Sequence, residues 1–484
     1  HNLDLSVGYE INSKESDGLG TTISNFARWD KPEVNNGVVY QSMGGYNSTT
    51  RIVSYITRAN YDYDNKYYLG ASWRTDGSSR LARENRWGNF WSLSGAWRVS
   101  SESFMKPLQN WLSDLKLRVS YGVNGTLPSS YYGYMGLSSL TSNYNDNPGI
   151  KQSQLENKEL TWETNYNFNS GIDLGFFDNR LNVTFEYYVR TTKNLLYSRP
   201  LSLATGFSSY LANIGKLQNK GYELEIRSTN IETKDFRWST SLNLGHNANK
   251  ILKLDGDLKQ VTSGTSIHKV GLPYSTYYMI EFAGIDPADG EPMFYKNTTD
   301  ENGNLNKETT KDPRSAEKVI LQCADPTITG GLGNSISYKW FDLNFNVNFS
   351  FGAWNYDGSA SKLEHGGDGT LNIPIYYRKR WQKEGDETSI ERFVVGRSIS
   401  MTDYATTRRL YSGDYVRLKN LTFGFTLPKT WTRKVGIDNI RLYASGNNLL
   451  TWAAYDYIDP ESGSSPSWDT PPMRTYTFGL EVKF

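Results

Sequence analysis

The sequence predicts an all-β chain: an antiparallel transmembrane β-barrel with long connections at one end of its strands and short turns at the other. Three observations predict it. Stretches of membrane-strand length alternate apolar and polar residues. Their polar faces are amides and charges that would poorly fill a protein core. Short and long connections alternate along the chain.

The cleanest strand is Leu343-Asn-Phe-Asn-Val-Asn-Phe-Ser-Phe351. Side chains on a strand point alternately to its two faces, so Leu343, Phe345, Val347, Phe349 and Phe351 share one face. Asn344, Asn346, Asn348 and Ser350 share the other. Each asparagine amide needs several partners, which suits a watery lumen better than a core. Leu117–Val123 and Val183–Val189 alternate in the same way, with Arg118 and Glu186 at wet positions. The chain ends on another such run, in which Tyr476, Phe478, Leu480, Val482 and Phe484 alternate with Thr477, Gly479, Glu481 and Lys483. Taken alone, that run fits a sandwich as well as a barrel.

Read in order, the pattern gives about sixteen strands, most near the ten-residue length of a tilted membrane strand. They fall at 2–11, 51–62, 66–75, 90–99, 115–124, 161–176, 180–192, 214–229, 236–249, 276–284, 291–297, 328–337, 342–354, 415–427, 439–450 and 474–484. The short connections are 63–65, 177–179, 230–235, 285–290, 338–341 and 428–438; 100–114 is the longest of this set and has room for a short helix. The long ones are 12–50, 76–89, 125–160, 193–213, 250–275, 298–327, 355–414 and 451–473. A sandwich has no reason to send every long loop to one end, whereas outer-membrane barrels have short periplasmic turns and long external loops. With the last strand ending on the periplasmic side, an even number of strands is expected to precede this chain.

Composition agrees. The 484 residues are 37% hydrophobic and 14% aromatic, and no run is long enough for a membrane-spanning helix. Half of each barrel strand is polar, so low mean hydropathy is compatible with a barrel. The net charge of +1 argues against a nucleic-acid partner. Cys323 is the single cysteine and forms no internal disulfide.

Several stretches resemble the SusC/RagA family of TonB-dependent outer-membrane transporters. These are Asp76-Gly-Ser-Ser-Arg80 with Asn85-Arg-Trp-Gly88, Ser101-Glu-Ser-Phe-Met105 leading into 115–122, and Asn213-Ile-Gly-Lys-Leu-Gln-Asn-Lys-Gly-Tyr-Glu223. Further matches are Gly284-Ile-Asp-Pro287, Gly330-Gly-Leu-Gly333, Tyr338-Lys-Trp-Phe-Asp342, Tyr415-Val-Arg-Leu-Lys-Asn-Leu-Thr422 and Asn447-Asn-Leu-Leu-Thr451. They run in family order from about Asp76 to Phe484. The resemblance implies a plugged barrel of 22 strands in the bacterial outer membrane. Residues 1–484 would be its C-terminal part. The plug, the Ton box and the first strands would lie outside this chain. It also implies import of oligosaccharides or peptides with no covalent chemistry and no cofactor. The implied partners are a SusD-like surface lipoprotein, the TonB-ExbB-ExbD machinery reached through the N-terminal part, that part of the barrel itself, and the lipid bilayer.

Substrate contacts are expected in the external loops. Loop 355–414 holds Tyr376, Tyr377 and Trp381, with Asp368, Asp386, Arg378 and Arg380 as charged candidates; loop 451–473 holds Tyr455, Tyr457 and Trp468. Flat aromatic faces suit sugar rings or peptide side chains. The alternative for each ring is an interface girdle or loop packing, which suits Trp354 and Trp452 at strand ends. Asp300-Glu-Asn-Gly-Asn304 has the outline of a calcium loop but lacks its bidentate carboxylate, so it reads as a turn. Asp286-Pro-Ala-Asp-Gly290 reads as a periplasmic turn. His365-Gly-Gly367 lacks the nucleophile elbow of a hydrolase and reads as a flexible loop tip. The four histidines have no metal-ligand spacing. Two other functions stay open: a passive porin or structural barrel, and a secreted β-rich glycan-binding protein or hydrolase.

Overall fold

The computed structural model describes residues 1–484 except 141–142, 146, 255, 257, 368–371, 397–403, 456–457 and 463–471. Fourteen strands form one sheet in which each pairs with the next in sequence. They are β1 (Asn2–Phe26), β2 (Gly37–Tyr63), β3 (Tyr67–Ser78), β4 (Trp87–Arg98), β5 (Leu112–Thr126), β6 (Glu163–Phe176) and β7 (Leu181–Lys193). The order continues with β8 (Lys216–Glu232), β9 (Phe236–Lys253), β10 (Ile328–Tyr338), β11 (Phe341–Phe351), β12 (Tyr415–Thr426), β13 (Asn439–Ala453) and β14 (Thr475–Lys483).

Two of the sixteen expected strands do not belong to this sheet. Thr276–Ile280, Phe282–Ile285 and Pro292–Tyr295 are strands, but of small sheets inside the 254–327 excursion. Thr276, Tyr277, Met279 and Ile280 are buried, so the segment has no wet face and does not alternate. The turn at 286–290 therefore sits at the long-loop end, not at the periplasmic end. A second correction concerns 12–50, expected as a loop. It is mostly strand, because β1 and β2 pair out to Phe26 and Gly37.

The short turns are closed by residues that tolerate the left-handed region. Asp64 and Asn65 have φ of 54° and 51° between β2 and β3. Asp178 and Asn179 play the same part between β6 and β7, with φ of 53° and 60°. The 100–114 connection holds short 3-10 turns at Val99–Ser101 and Ser103–Leu108. Among the described residues no helix is long and apolar enough to cross a membrane, which says nothing about crossing by strands.

The chain divides into two compact units. In the first (His1–Arg98, Arg118–Asn169 and Arg190–Leu217), directly opposed residues share a face, and one face carries an apolar band. Leu3, Leu5 and Val7 lie opposite Tyr61, Ala59 and Thr57, which in turn face Leu69, Ala71 and Trp73. Aromatic rings bracket this aliphatic band. At the short-turn end Tyr67 stacks on Trp97 at 6.3 Å and lies 6.2 Å from Tyr63. At the other end Tyr9 meets Tyr55 at 5.1 Å and Trp91 meets Tyr121 at 5.8 Å. Two girdles around an apolar band are what a lipid-facing barrel wall requires. The unit's buried core is separate: Leu81, Phe90, Val123, Leu160 and Trp162.

The second unit (Val99–Leu117, Ser170–Val189 and Gln218–Phe484) repeats the two-faced wall. Leu343, Phe345 and Val347 lie opposite Phe423, Leu421 and Leu418, and Leu418 opposite Leu450. Asn344 and Asn346 lie opposite Thr422 and Asn420. Phe345, Val347 and Phe349 are only half-buried, and none belongs to a buried cluster. Among the described residues no second sheet layer covers them, where the sandwich alternative calls for one. Toward the last strand the apolar residues are open, with Phe478 83% and Leu480 63% exposed. An apolar face this extensive is not tolerated in water. The unit's cores lie outside the sheet faces, at Val99, Met105 and Leu112, at Tyr277, Met279 and Leu410, and at Ile280 with Phe294.

Candidate functional site

The polar face of the second unit is lined by amides, hydroxyls and carboxylates. A recess of about 630 Å³ is bordered by Glu186, Glu223, Glu225, Asn243, Asn348 and Tyr415. A smaller one of about 340 Å³ is bordered by Arg180, Arg227, Ser239, Asn344 and Asn346. Side-chain amides bond one another along this wall: Asn420 donates to Asn447 at 2.9 Å, and Asn247 and Asn249 both donate to Asn219, at 3.2 and 2.8 Å. Such a surface offers hydrogen-bond donors and acceptors to whatever passes along it.

Above it, the described residues of loop 355–414 form a packed module. Asp357 caps the helix Gly358–Leu363 by accepting from the Ser359 and Ala360 amides. Four charges cluster there: Glu364, Glu391 and Arg409 are buried and Arg408 is nearly so. Arg409 Nε donates to Glu364 at 3.2 Å, and Arg408 Nη1 donates to Glu391, whose side chain is fully buried. Tyr376 donates to Glu364 at 2.5 Å and Tyr377 to Glu391 at 2.9 Å. Burial pushes both phenols well above the ordinary tyrosine range, reinforced by the adjacent carboxylates. For Arg408 burial opposes the charge, but Glu391, Tyr377 and Glu364 together more than offset it and the guanidinium stays firmly protonated. Opposite charges that satisfy each other's hydrogen-bonding needs let the loop hold a defined shape without an apolar centre.

The expected site residues take different places. Tyr377 is 1% exposed, so its ring belongs to the loop interior; the expectation that it meets substrate is corrected. Tyr376 is half-buried, and Arg378 is exposed. Trp381 ties two loops together: its Nε1 donates to the Pro287 carbonyl at 2.9 Å, and a Cβ on Gly290 would lie 2.5 Å from its ring. Tyr455 stacks on Tyr411 at 3.6 Å and donates to Asp357 at 3.2 Å. Asp386 caps a turn by accepting from the Gln382 and Lys383 amides, bonds that hold its carboxyl below the usual range. Arg380 donates to the Tyr377 carbonyl. Asp368, Tyr457 and Trp468 lie outside the described residues.

Three other expectations were tested by the loops. His365 is 2% exposed and accepts from the Gly367 amide, so it is an interior residue and not a flexible tip. Asp300 caps its own turn, accepting from Asn302 and Asn304. Trp452, 59% exposed, sits opposite Val416 on the apolar face, whereas Trp354 packs in the loop core with Tyr277 and Met279. Sequence reasoning missed the buried charges and a second anchor. Arg417, 3% exposed, bonds Asp459 at 2.6 Å and Glu461 at 2.7 Å, pinning the last external loop to the wall. Its partners are more than forty residues away in sequence, and no local periodicity marks them.

Comparison with known proteins places this architecture. Residues 1–449 match the family model described as TonB dependent receptor-like, beta-barrel. The chain is 33% identical to TonB-dependent receptor P3 of Formosa agariphila over 100% of this chain and 51% of that protein. It is 30% identical to TonB-dependent receptor SusC of Bacteroides thetaiotaomicron over 91% of this chain and 44% of that protein. The solved structure of the RagAB peptide transporter superposes with a TM-score of 0.85 at 29% identity, covering 100% of this chain and 53% of that one. The chain thus spans about half the length of these relatives. The family consists of outer-membrane transporters, not enzymes. The apolar and polar faces of the sheet, the girdles and the family match converge: this chain belongs to the TonB-dependent receptor β-barrel family of the outer membrane.

Proposed function

We propose that this chain is the C-terminal part of the barrel of a transporter that imports oligosaccharides or peptides across the bacterial outer membrane. In this reading a plug, a Ton box and the first strands are supplied by a preceding part, and TonB-ExbB-ExbD drives uptake through it. A SusD-like surface lipoprotein cooperates at the external side. The observation that carries the reading is the two-faced wall, in which Phe345, Val347 and Phe349 take one side and Asn344, Asn346 and Asn348 the other, in a chain of this family. The relatives' names, SusC and the RagAB peptide transporter, support import in preference to passive diffusion.

Substrate contacts are proposed at the loop residues that keep an accessible face: Arg378, and in part Tyr376, Trp381 and Tyr455. Asp368, Tyr457 and Trp468 remain candidates by sequence. The test is uptake of labelled oligosaccharide and peptide pools by cells carrying the full-length transporter, with and without tonB. Uptake that stops without TonB supports the reading. Uptake that continues at the same rate assigns the protein to the passive porins.

A further inference from the structure

Arg417 belongs to the polar face of the wall. It lies opposite Asn348 on β11 and Thr451 on β13, and its neighbours Val416 and Leu418 lie opposite Phe349 and Val347 on the apolar face. Thr451 is two residues from the end of β13, so this rung lies about 7 Å inside the long-loop end of the strands.

The chain that follows β13 comes back to this rung. Ala454 donates to the Asp414 carbonyl at 3.1 Å, and Tyr455 stacks on Tyr411, both at the strand ends. Four residues later Asp459 accepts from Arg417 Nη2 at 2.6 Å. Glu461 accepts from Nη1 at 2.7 Å, and Nε donates to Thr451 at 3.0 Å. Lys419 Nζ donates to the same Glu461 oxygen at 2.6 Å. The turn between the two acids is set by its own bonds. Pro460 opens it with a fixed φ, and Asp459 Oδ1 accepts from the Glu461 amide at 2.8 Å. The Asp459 carbonyl accepts from the Ser462 hydroxyl at 2.6 Å. Because Arg417 is on the polar face, residues 459–462 lie against that face and not against lipid.

A buried ion pair gains little stability over apolar packing; what it fixes is geometry. A guanidinium fork bonded through all three of its nitrogens holds its acceptors in one arrangement. Arg417 and Lys419 cancel Asp459 and Glu461, so this strap leaves no net charge on the wall. What it adds is bulk: a helical turn with its side chains is about 10 Å across. We propose that Arg417 is a positioning residue that holds residues 459–462 as a strap inside the external mouth of the lumen, where they set the upper size of the cargo that enters. The inference rests on the transporter reading above, in which the polar face is the lumen. The strap is a fixed element and narrows the mouth with or without cargo.

The first measurement asks what holds the strap. In outer membranes carrying the full-length transporter, a carbodiimide joins an ammonium to a carboxylate in contact with it, forming an amide with loss of water. A crosslink between Lys419 and Glu461, read by mass spectrometry of the digested protein, is expected. In Arg417→Gln both reacting groups remain, and the crosslink is expected to fall about ten-fold or more. No crosslink in the unaltered protein, or an equal yield in Arg417→Gln, overturns the proposal. The second measurement asks what the strap does. Size-graded pools of labelled oligosaccharides and peptides are offered to cells, and the length of what enters is read. The limit is expected to shift to longer chains in Arg417→Gln and in the double variant Asp459→Asn with Glu461→Gln, which leaves the strands unaltered. An unchanged limit with the crosslink lost, or a loss of uptake equal at every length, overturns the size filter and leaves the transporter reading standing. If the unaltered protein imports neither pool, the transporter reading falls and the filter with it.

Discussion

The strand wall around β11 and the loop module at 355–414 are stabilised in opposite ways. On the wall each residue's place is set by the medium it faces, and the medium changes at every step along the chain. In the loop, Glu364, Glu391 and Arg409 are buried with the nearly buried Arg408 in one small volume, each charge held by a partner 17 to 45 residues away. The wall tolerates exposure of its large apolar residues because lipid is their solvent. The loop tolerates buried charge because every carboxylate has a cation and a phenol.

Breaking the loop side should have the largest effect. Glu391→Ala removes the acceptor of the Tyr377 hydroxyl and leaves Arg408 only its 3.7 Å pair with Glu364, at a cost on the order of 3–5 kcal/mol. Hydrogen exchange of the full-length protein should show 355–414 opening while β10 to β13 keep their protection. Equal loosening of both would mean the loop and the wall are one cooperative unit.

The wall is broken by charge on one face only. Val347→Lys places an ammonium in hydrocarbon and should cost about 2–4 kcal/mol. Asn346→Lys, one residue away, should cost within about 0.5 kcal/mol. Unfolding midpoints of the two variants in bilayers or detergent check this; similar midpoints would remove the distinction between the faces.

A smaller effect is expected where two loops meet. Trp381→Ala removes the bond to Pro287 and the packing on Gly290, about 1–2 kcal/mol of loop contact. Protease sensitivity at 286–290 should rise with the barrel intact. Reduced uptake with unchanged protease sensitivity would instead assign the ring to substrate.

The smallest effect is one of pH. His268 is buried against Tyr274 at 4.1 Å, and burial lowers its pKa below the ordinary histidine value. The open form of the loop therefore takes up a proton first as pH falls. Stability contributed by neutral His268 is complete above about pH 6.5 and is lost as pH falls toward the folded-state value. Protection across 260–280, measured relative to intrinsic amide exchange at each pH, should fall between pH 7.5 and 5.5 in the native chain and show no such step in His268→Gln.

The sequence was informative where the physics is local. Leu343–Phe351 and Thr475–Lys483 alternate because each residue faces one of two solvents, and they could be read directly. Thr276–Ile280 and Pro292–Tyr295 are strands too, and were assigned to the wrong sheet. The missing wet positions in Thr-Tyr-Tyr-Met-Ile were the available signal. The 12–50 stretch read as loop because Gly18, Gly20, Gly44 and Gly45 and the scattered polar residues hide a ribbon with no buried face. Tyr377 was placed at a substrate on the strength of its ring, but its fate is decided by Glu391, fourteen residues on. Nothing in the chain near Arg417 points to Asp459 and Glu461.

The central claim is that lipid bathes one face of β11 and water the other. It is tested most directly by spin labels placed singly at 344 through 349 in the full-length transporter carrying Cys323→Ser, reconstituted in a bilayer. Collision rates with oxygen, which partitions into lipid, should peak at 345, 347 and 349. Rates with a water-soluble nickel complex should peak at 344, 346 and 348. Labels at 345, 347 and 349 that are shielded from oxygen, or six positions that show no alternation, would contradict it.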